Sequence, residues 1–206
     1  MNKNAGERGN DMEVIYREAR QEECLELARG INATAGGILD FLYENLIPCF
    51  STEQLVAQSL ADGKRYDSYK SITVAECSGK VAGLVSSYPA SCHGVDAAMK
   101  EFFPPERLAV LYNFYNSRVE DSYYLSAIFV SPRFRNQGIG SRLIDLTKEK
   151  ARQQGHYQLS LLVLADNETA LRVYRQNGFR PVQPVAIEEQ PLIPHTKGAL
   201  LLVSDI

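Results

Sequence analysis

Metal-binding side chains and tryptophan are scarce in this sequence. Its 206 residues include no tryptophan and only three histidines, and the four cysteines form no CxxC pair. Zinc sites are usually built from cysteines and histidines at short, regular spacings, so the sequence predicts no metal site. The cysteines are predicted to be reduced thiols, as is typical of cytoplasmic proteins, and the chain is expected in that compartment.

Long apolar segments are also missing. The longest fully apolar runs, residues 161–165 and 199–203, have five residues each, whereas a membrane-spanning helix needs about 20. The polar stretch over residues 1–14 lacks the apolar centre of a signal peptide. The sequence therefore predicts no contact with a membrane, and residues 1–11 are expected to form a flexible leader.

A third absence is an excess of basic charge. Lysine and arginine number 22 against 25 aspartate and glutamate residues, which gives a net charge of −3. Nonspecific nucleic-acid binding depends on a basic surface, so nucleic acid is not expected as a partner. Hydrophobic residues make up 45% of the chain, an ordinary globular composition. Because no linker or repeat divides it, residues 12–206 are predicted to form a single domain, with a homodimer left open.

Periodicity along the chain predicts an α/β fold. In the first half, the predicted elements are a strand at 14–16, a helix at 22–35, a helix opened by a capping box at 51–54, a hairpin of strands 71–77 and 80–88, and a helical insertion at 89–121. In the second half, they are strands at 123–130, 158–164, 179–187 and 199–204, and helices at 139–153 and 168–176. This order predicts one mixed sheet with helices on its faces.

A glycine-containing loop follows the strand at 123–130. Residues 131–142 read SPRFRNQGIGSR, with Gly138 and Gly140 at the predicted helix start and three arginines but no acidic residue around them. Unpaired N–H groups at a helix start favour an anion, and glycine lets it approach the backbone closely. The lysine of a P-loop and the third glycine of a dinucleotide fingerprint are missing. A plain turn between strand and helix is the alternative.

Two sequence patterns occur in order along the second half of the chain. Residues 135–140 read RNQGIG, which fits [QR]xxGx[GA] after a strand, and residues 167–179 read NETALRVYRQNGF, which fits NxxAxxxYxxxGF at every marked position. Together they resemble the GNAT family of acyl-CoA-dependent N-acetyltransferases, over about residues 122–180. The resemblance implies a mixed, mostly antiparallel central sheet flanked by helices, with a splayed strand pair for coenzyme A.

The resemblance also implies where acetyl-CoA, the expected cosubstrate, would bind. Backbone groups of Ile128, Phe129 and Val130 would pair with the pantetheine arm, and Asn167 would reach toward the thioester end. Backbone N–H groups in the loop would hold the pyrophosphate; the residues implied there are Arg135, Asn136, Gln137, Gly138, Ile139, Gly140 and Ser141. A helix N-cap is the alternative role for Asn167.

Tyr174 is the catalytic residue that the resemblance implies. Its phenol would donate a proton to the departing thiolate of coenzyme A, although a tyrosine on an amphipathic helix more often packs in the core. The general base is not evident, because Tyr124 stands at the strand position where some family members carry glutamate, and a neutral tyrosine is a poor base. Tyr124 and His195 remain catalytic candidates, with Glu120, Asp121 or a water relay as alternatives.

These observations favour an N-acetyltransferase that transfers an acetyl group from acetyl-CoA to a primary amine of a small molecule, peptide or protein, by direct attack in a ternary complex. A non-catalytic acyl-CoA-binding or sensor module with the same fold is the alternative, because the glutamate of the central strand is missing. Residues 36–60 and 89–121 are expected to shape the acceptor pocket. The candidate lining tyrosines are Tyr112, Tyr115, Tyr123 and Tyr124.

Overall fold

One sheet runs through the chain. The computed structural model describes residues 13–206, so the leader predicted for residues 1–11 lies outside the described residues. The strands are β1 (Val14–Glu18), β2 (Ile72–Cys77), β3 (Lys80–Pro89), β4 (Tyr123–Val130), β5 (Gln158–Leu164), β6 (Arg180–Val185) and β7 (Ala199–Asp205), in the sheet order β1-β2-β3-β4-β5-β7-β6. Neighbouring strands are antiparallel except for the parallel pair β4 and β5. The prediction of a mixed, mostly antiparallel sheet is confirmed.

Helices flank this sheet on both faces. They are α1 (Cys24–Thr34), α2 (Ile38–Tyr43), α3 (Thr52–Ala61), α4 (Ala97–Phe102), α5 (Pro105–Val110), α6 (Tyr112–Asn116), α7 (Ile139–Gln153) and α8 (Glu168–Gln176). The predicted bounds of β5, α7 and α8 agree with the structure to the residue. None of the helices in residues 13–206 combines the length and apolar character that crossing a bilayer requires.

Several predicted elements differ in length from the structure by one to three residues, and two of these differences have a structural cause. The helix expected from residue 22 begins at Cys24, because residues 21–23 form a 3-10 turn. The strand expected over residues 179–187 is shorter, and it pairs with β7 alone. Pro181 and Pro184 lie within it, and proline, which has no N–H to donate, confines such a strand to the edge of a sheet.

Two apolar layers hold the helices to the sheet. Ile139, Leu143 and Thr147 recur every four residues along α7 and are all buried, which is the spacing of one helix face. On the opposite face of the sheet, α1 approaches so closely that a Cβ on Gly30 would lie 2.9 Å from Leu84 Cδ2. The two layers therefore pack against opposite faces of the sheet at its centre, where β3 and β4 lie.

β4 and β5 share only two paired positions. Tyr123 pairs with Leu159 and Tyr124 with Ser160, and beyond these residues the two strands separate. β4 continues to Val130 along β3, so within residues 13–206 its other edge has no strand partner after Tyr124. The splayed strand pair implied by the resemblance is therefore confirmed, and we call the space between the two strands the gap.

A β-bulge lies where the gap begins. The register between β3 and β4 shifts between Ser86 and Ser87, and Ser126 is the residue of β4 left without a partner. Leu125 and Ile128, three positions apart, pack into the same core layer, although regular alternation would place them on opposite faces. Ser126 itself is exposed. Sequence analysis did not predict this bulge, which redirects the second half of β4.

Candidate active site

The glycine loop joins the free edge of β4 to the first turn of α7. Gly138 is the N-cap of α7 with a φ of 79°, and Asn136 is also left-handed with a φ of 61°. The left-handed region favours glycine, which explains the residue type at Gly138. A Cβ on Gly138 would have no neighbour within 4 Å, so the space before the helix is open. The unpaired N–H groups of this turn are therefore accessible to an anion.

The three arginines of the loop differ in their contacts. Arg135 donates from Nε to the carbonyl oxygen of Val130 at 3.1 Å, which ties the loop to the end of β4. Arg142 forms an ion pair with Glu149 at 3.0 Å on the exposed side of α7. Arg133 is exposed. The positive charge around the helix start is thus partly neutralised. Arg133 and Arg135, which precede Gly138, are the arginines of the loop without an acidic partner in the described residues.

Asn167 lies just before α8, as its N-cap, and Tyr174 lies in its last turn. Asn167 Oδ1 accepts a hydrogen bond from the N–H of Ala170 at 3.1 Å, so the predicted N-cap role is confirmed. Tyr174 is 8% exposed, and its ring meets that of Phe179 edge-on with 5.6 Å between centroids. Burial raises the pKa of the Tyr174 hydroxyl above its ordinary value, so the group keeps its proton. Contact with coenzyme A remains a prediction for both residues.

Tyr124 is the last residue of β4 that pairs with β5. It is 2% exposed, and its ring is stacked on that of His93 at 4.1 Å and lies 5.6 Å from that of Tyr88. Burial raises the pKa of the Tyr124 hydroxyl, and the electrostatic effects of Tyr115 and Tyr174 raise it further. Tyr124 is therefore unsuited to accept a proton. Tyr115 lies on the other side of His93, with 6.0 Å between their ring centroids, so these three rings stand together at the beginning of the gap.

His93 is a buried residue that sequence analysis did not single out. Its Nε2 atom lies 3.4 Å from the carbonyl oxygen of Phe114. Burial lowers the pKa of the His93 imidazole to about 4, so the ring is neutral at pH 7. Its stacking on Tyr124 gives it a packing role at the base of the site, and no local pattern in the sequence distinguishes it from an exposed loop histidine.

His195 and Asp166 form a pair beside the end of β5. His195 Nδ1 and Asp166 Oδ1 are 2.6 Å apart, and this hydrogen bond lowers the pKa of the Asp166 carboxyl. The imidazole also lies against the turn between α1 and α2, because a Cβ on Gly36 would be 3.2 Å from His195 Nε2. Asp166 immediately precedes the cap residue Asn167. Sequence analysis missed Asp166 because 29 residues separate it from His195.

Glu120 and Asp121 lie away from the gap. Glu120 is paired with Arg118 at 2.8 Å in an exposed turn, and the carbonyl oxygen of Asp121 lies 2.7 Å from His156 Nδ1. Both acids precede Tyr123, at the end of β4 that stays paired with β5. Their position therefore excludes them as the base. Residues 13–206 also contain no group of three or more side chains that could hold a metal ion.

A cleft of about 690 Å³ lies between α2, α3 and α4, and we call it the α2–α4 cleft. Most of its lining residues fall within segments 36–60 and 89–121, the two segments that the sequence analysis expected to shape the acceptor pocket. Its aromatic side chains are Tyr43, Phe102, Phe103 and Tyr115, and its charged side chains are Arg65, Asp67 and Glu101. Arg65 and Asp67 lie outside the two segments, and sequence analysis missed them.

The four tyrosines proposed to line the acceptor pocket lie in different parts of the structure. Tyr115 lines the α2–α4 cleft. Tyr124 is buried close to Tyr115 but does not line the cleft. Tyr123 packs in the core layer beneath α7, with its hydroxyl donating to the carbonyl oxygen of Ser87 at 3.3 Å, and Tyr112 is 61% exposed. Tyr123 is excluded from the cleft because it faces the other side of the sheet.

Comparison with known families agrees with this geometry. Residues 39–179, more than half of the chain, match the family described as Acetyltransferase (GNAT) family. Thialysine N-epsilon-acetyltransferase of Sus scrofa is 38% identical to this chain over 69 residues, which are 34% of this chain and 41% of that protein. The chain therefore matches less than half the length of that curated relative.

Solved structures share the fold over nearly the whole chain. One, described as the crystal structure of acetyltransferase, has a TM-score of 0.68 and 25% identity, and covers 93% of this chain and 99% of its own. The paia N-acetyltransferase of Thermoplasma acidophilum, solved in complex with coenzyme A, has a TM-score of 0.55 and 13% identity, with coverage of 95% and 100%. The second likeness is one of fold alone.

The splayed strands and the helix start at the glycine loop together define an α/β fold of the acetyltransferase type. With its match over residues 39–179, the chain belongs to the GNAT acetyltransferase family.

Proposed function

We propose that this chain is an N-acetyltransferase that moves an acetyl group from acetyl-CoA to a primary amine of a small molecule, peptide or protein, in a ternary complex. The observation that carries the proposal is the gap between β4 and β5, with the glycine loop at its outer end. An unpaired strand edge offers backbone groups to an extended ligand, and a helix start offers N–H groups to phosphates. Coenzyme A combines an extended amide chain with a pyrophosphate.

Three parts of the chain would hold coenzyme A. The free edge of β4 at Ile128, Phe129 and Val130 would pair with the pantetheine amides, and the N–H groups of residues 135–141 would hold the pyrophosphate. The cap interaction occupies Oδ1 of Asn167, which leaves its Nδ2 group to donate to a pantetheine carbonyl. The open space before Gly138 supports this placement of the pyrophosphate.

Two groups of the chain would assist the bond changes at the thioester, one at its oxygen and one at its sulfur. As the amine nitrogen bonds to the thioester carbon, a backbone N–H near Val130 donates to the oxyanion that forms. As the C–S bond breaks, Tyr174 donates its proton to the thiolate and later regains one from solvent. Burial keeps the Tyr174 hydroxyl protonated, so a proton is available there. Because the raised pKa also makes the phenol a weaker acid, the transfer requires the thiolate to be held within hydrogen-bond distance. Much of the acceleration would come from holding the two reactants together.

His195 would accept the proton that the amine loses. Its Nδ1 atom is engaged by Asp166 at 2.6 Å. With that nitrogen as the donor to the carboxylate, the free electron pair lies on Nε2, which can take a proton directly or through a water relay. Tyr124 is not assigned this role, because its raised pKa keeps it protonated.

A non-catalytic acyl-CoA-binding module is the second candidate function. The observation that favours it is Tyr124, which occupies the strand position of the missing glutamate and cannot act as a base. In such a module the gap would bind coenzyme A, and the hydrogen-bonded pair of His195 and Asp166 would have only a structural role.

Calorimetry with coenzyme A, followed by an amine-panel assay that detects the released thiol, separates these functions. An N-acetyltransferase binds coenzyme A and releases thiol from acetyl-CoA with at least one amine. Binding without turnover over a broad panel would leave the binding module, and absence of binding would exclude both.

A further inference from the structure

We infer that the α2–α4 cleft binds the acceptor, and that its walls select a cationic amine with an apolar or aromatic body and no carboxylate. This inference rests on the proposed N-acetyltransferase function, which leaves the class of acceptor open. Its basis is the position of the cleft next to the gap, the rings in its walls and the charges in its lining.

The inner wall of the cleft and the beginning of the gap are neighbours. Tyr115 lines the cleft, and its ring centroid lies 6.0 Å from that of His93. His93 is in turn stacked on Tyr124 at 4.1 Å, the residue after which β4 and β5 separate. The exposed bulge residue Ser126 follows two positions later. An acceptor in the cleft would thus have its reactive end on the side of the gap.

The walls of the cleft present aromatic rings. Tyr43 and Phe102 both meet Phe103 edge-on, each with 5.0 Å between centroids, and Phe102 remains 46% exposed. Aromatic faces attract both apolar groups and ammonium ions. These walls therefore suit the body of an apolar or aromatic amine.

The charges in the lining of the cleft disfavour an anionic ligand. Arg65 donates to both carboxylate oxygens of Asp67, at 2.9 and 3.3 Å, and pairs with Asp96 at 3.1 Å. Its guanidinium is thus already engaged by two carboxylates and is not free to bind a third. Glu101 adds another carboxylate to the lining, so the cleft is lined by one cation and two acids, and Asp96 pairs with Arg65 beside them. An ammonium group is attracted there, whereas a carboxylate on the ligand is repelled.

A bound ammonium must lose a proton before its nitrogen can attack. Contact with the aromatic walls removes water from the amine, and desolvation lowers the pKa of an ammonium group. The carboxylates of the cleft would therefore attract the charged form, and its rings would favour the neutral form.

Matched amines that differ by one carboxylate test the selectivity. We expect kcat/KM for phenethylamine to exceed that for phenylalanine by at least about tenfold, and the same for hexylamine over 6-aminohexanoate, which corresponds to about 1.4 kcal/mol. A ratio near one, or preference for the carboxylated member, would overturn the inference while leaving the N-acetyltransferase function intact.

A pair of neighbouring alanines on α4 tests the location. Both are exposed, but Ala98 lines the cleft and Ala97 does not. Ala98→Trp should lower kcat/KM for phenethylamine at least about tenfold, mainly through KM, because the indole occupies the space of the acceptor. Ala97→Trp should stay within about twofold, and both variants should bind coenzyme A as the wild type does. Equal effects of the two substitutions would place the acceptor elsewhere.

Direct binding keeps this inference separate from the proposed function. If coenzyme A binds but no amine is acetylated, the proposed function fails, and the cleft is then judged by calorimetry with phenethylamine. Binding that Ala98→Trp abolishes and Ala97→Trp preserves would support the cleft as an amine site. Failure of phenethylamine to bind the wild-type protein would overturn it.

Discussion

The two sides of the gap are built in different ways. The proposed coenzyme side comes from one continuous segment, residues 123–180, in which strand, loop and helix follow each other directly. The proposed acceptor side is assembled from α2, α3, α4 and α6, which line the cleft, and from the loop before β7, where Ile193 packs with α2. On the first side the predicted ligand contacts are mostly with the backbone, and on the second they are with side chains. A cosubstrate site can therefore be shared by a family while the acceptor site varies.

The acceptor side is held by long-range contacts. Arg107 of α5 donates from Nη1 to the carbonyl oxygen of Leu42 at 2.8 Å across 65 residues. The carbonyl oxygen of Leu192, in the loop before β7, would lie 1.9 Å from a Cβ on Gly37. Any side chain at Gly37, where φ is 88°, would thus push the two loops apart. Small changes in such contacts can reshape the acceptor pocket without altering the gap.

Tyr174→Phe should have the largest effect, because it removes the proposed proton donor and keeps the ring that packs on Phe179. We expect kcat to fall about a hundredfold, with the affinity for coenzyme A and the free energy of unfolding little changed. Tyr157→Phe, at a position that is 79% exposed, is the matched control. Unchanged thiol release by the Tyr174 variant would show that its hydroxyl does not act in catalysis.

The sequence was most informative where backbone and local pattern determine structure. The bounds of α7 and α8 follow from amphipathic spacing, and the two glycines mark the start of α7. The bulge at Ser126 was not predicted, because it depends on how β4 aligns with β3.

Side-chain partners distant in sequence were beyond such prediction. Asp166 beside His195 and Arg65 beside Asp96 are brought together only by the folded chain. Residue type and spacing do not predict these pairs, because a single sequence does not distinguish a paired charged residue in a loop from an unpaired one.

His93 predicts how stability on the acceptor side depends on pH. Burial lowers its folded-state pKa to about 4, below the ordinary value near 6.5. The unfolded chain therefore binds more protons between these values, and stability falls as pH drops from 6.5 to 4, by up to about 3 kcal/mol. His93→Phe keeps a ring against Tyr124 and removes this dependence. Urea unfolding of both proteins at pH 7 and 4.5 measures the difference, and equal pH dependence would contradict it.

Asp166→Asn tests whether the histidine pair acts as a unit. We expect kcat to fall about tenfold in this variant, in His195→Gln and in the double variant alike, because effects within a catalytic unit do not add. Affinity for coenzyme A should not change. The lowered pKa of Asp166 means that its stabilising contribution is present above the ordinary pKa of the carboxyl and is lost as pH falls below it. The variant should therefore lose more stability at pH 7 than at pH 3, and additive kinetic losses would argue against a unit.

Alanine substitutions at Gly140 and Gly138 distinguish an effect on coenzyme A binding from an effect of backbone strain on stability. A Cβ on Gly140 would lie at an ordinary 3.6 Å from Val130 Cγ2, so Gly140→Ala should leave the free energy of unfolding within about 0.5 kcal/mol. Its methyl group would still hinder the proposed pyrophosphate, and affinity for coenzyme A should fall about tenfold. Gly138→Ala should instead cost about 1–2 kcal/mol of stability, because φ is 79° there. Unchanged affinity in the Gly140 variant would move the pyrophosphate away from this turn.

Arg142→Ala should have the smallest effect. Its ion pair with Glu149 is exposed on both sides, and such pairs contribute about 0–1 kcal/mol, so affinity for coenzyme A should change less than about twofold. Arg135→Ala should weaken binding more, because Arg135 ties the loop to Val130 and adds charge before the helix start. Calorimetric titration of both variants at two salt concentrations measures the difference. A larger loss of affinity for Arg142→Ala would mean that Arg142 leaves Glu149 and binds a phosphate of coenzyme A. Side-chain charge, rather than the backbone of the glycine loop, would then supply most of the affinity for coenzyme A.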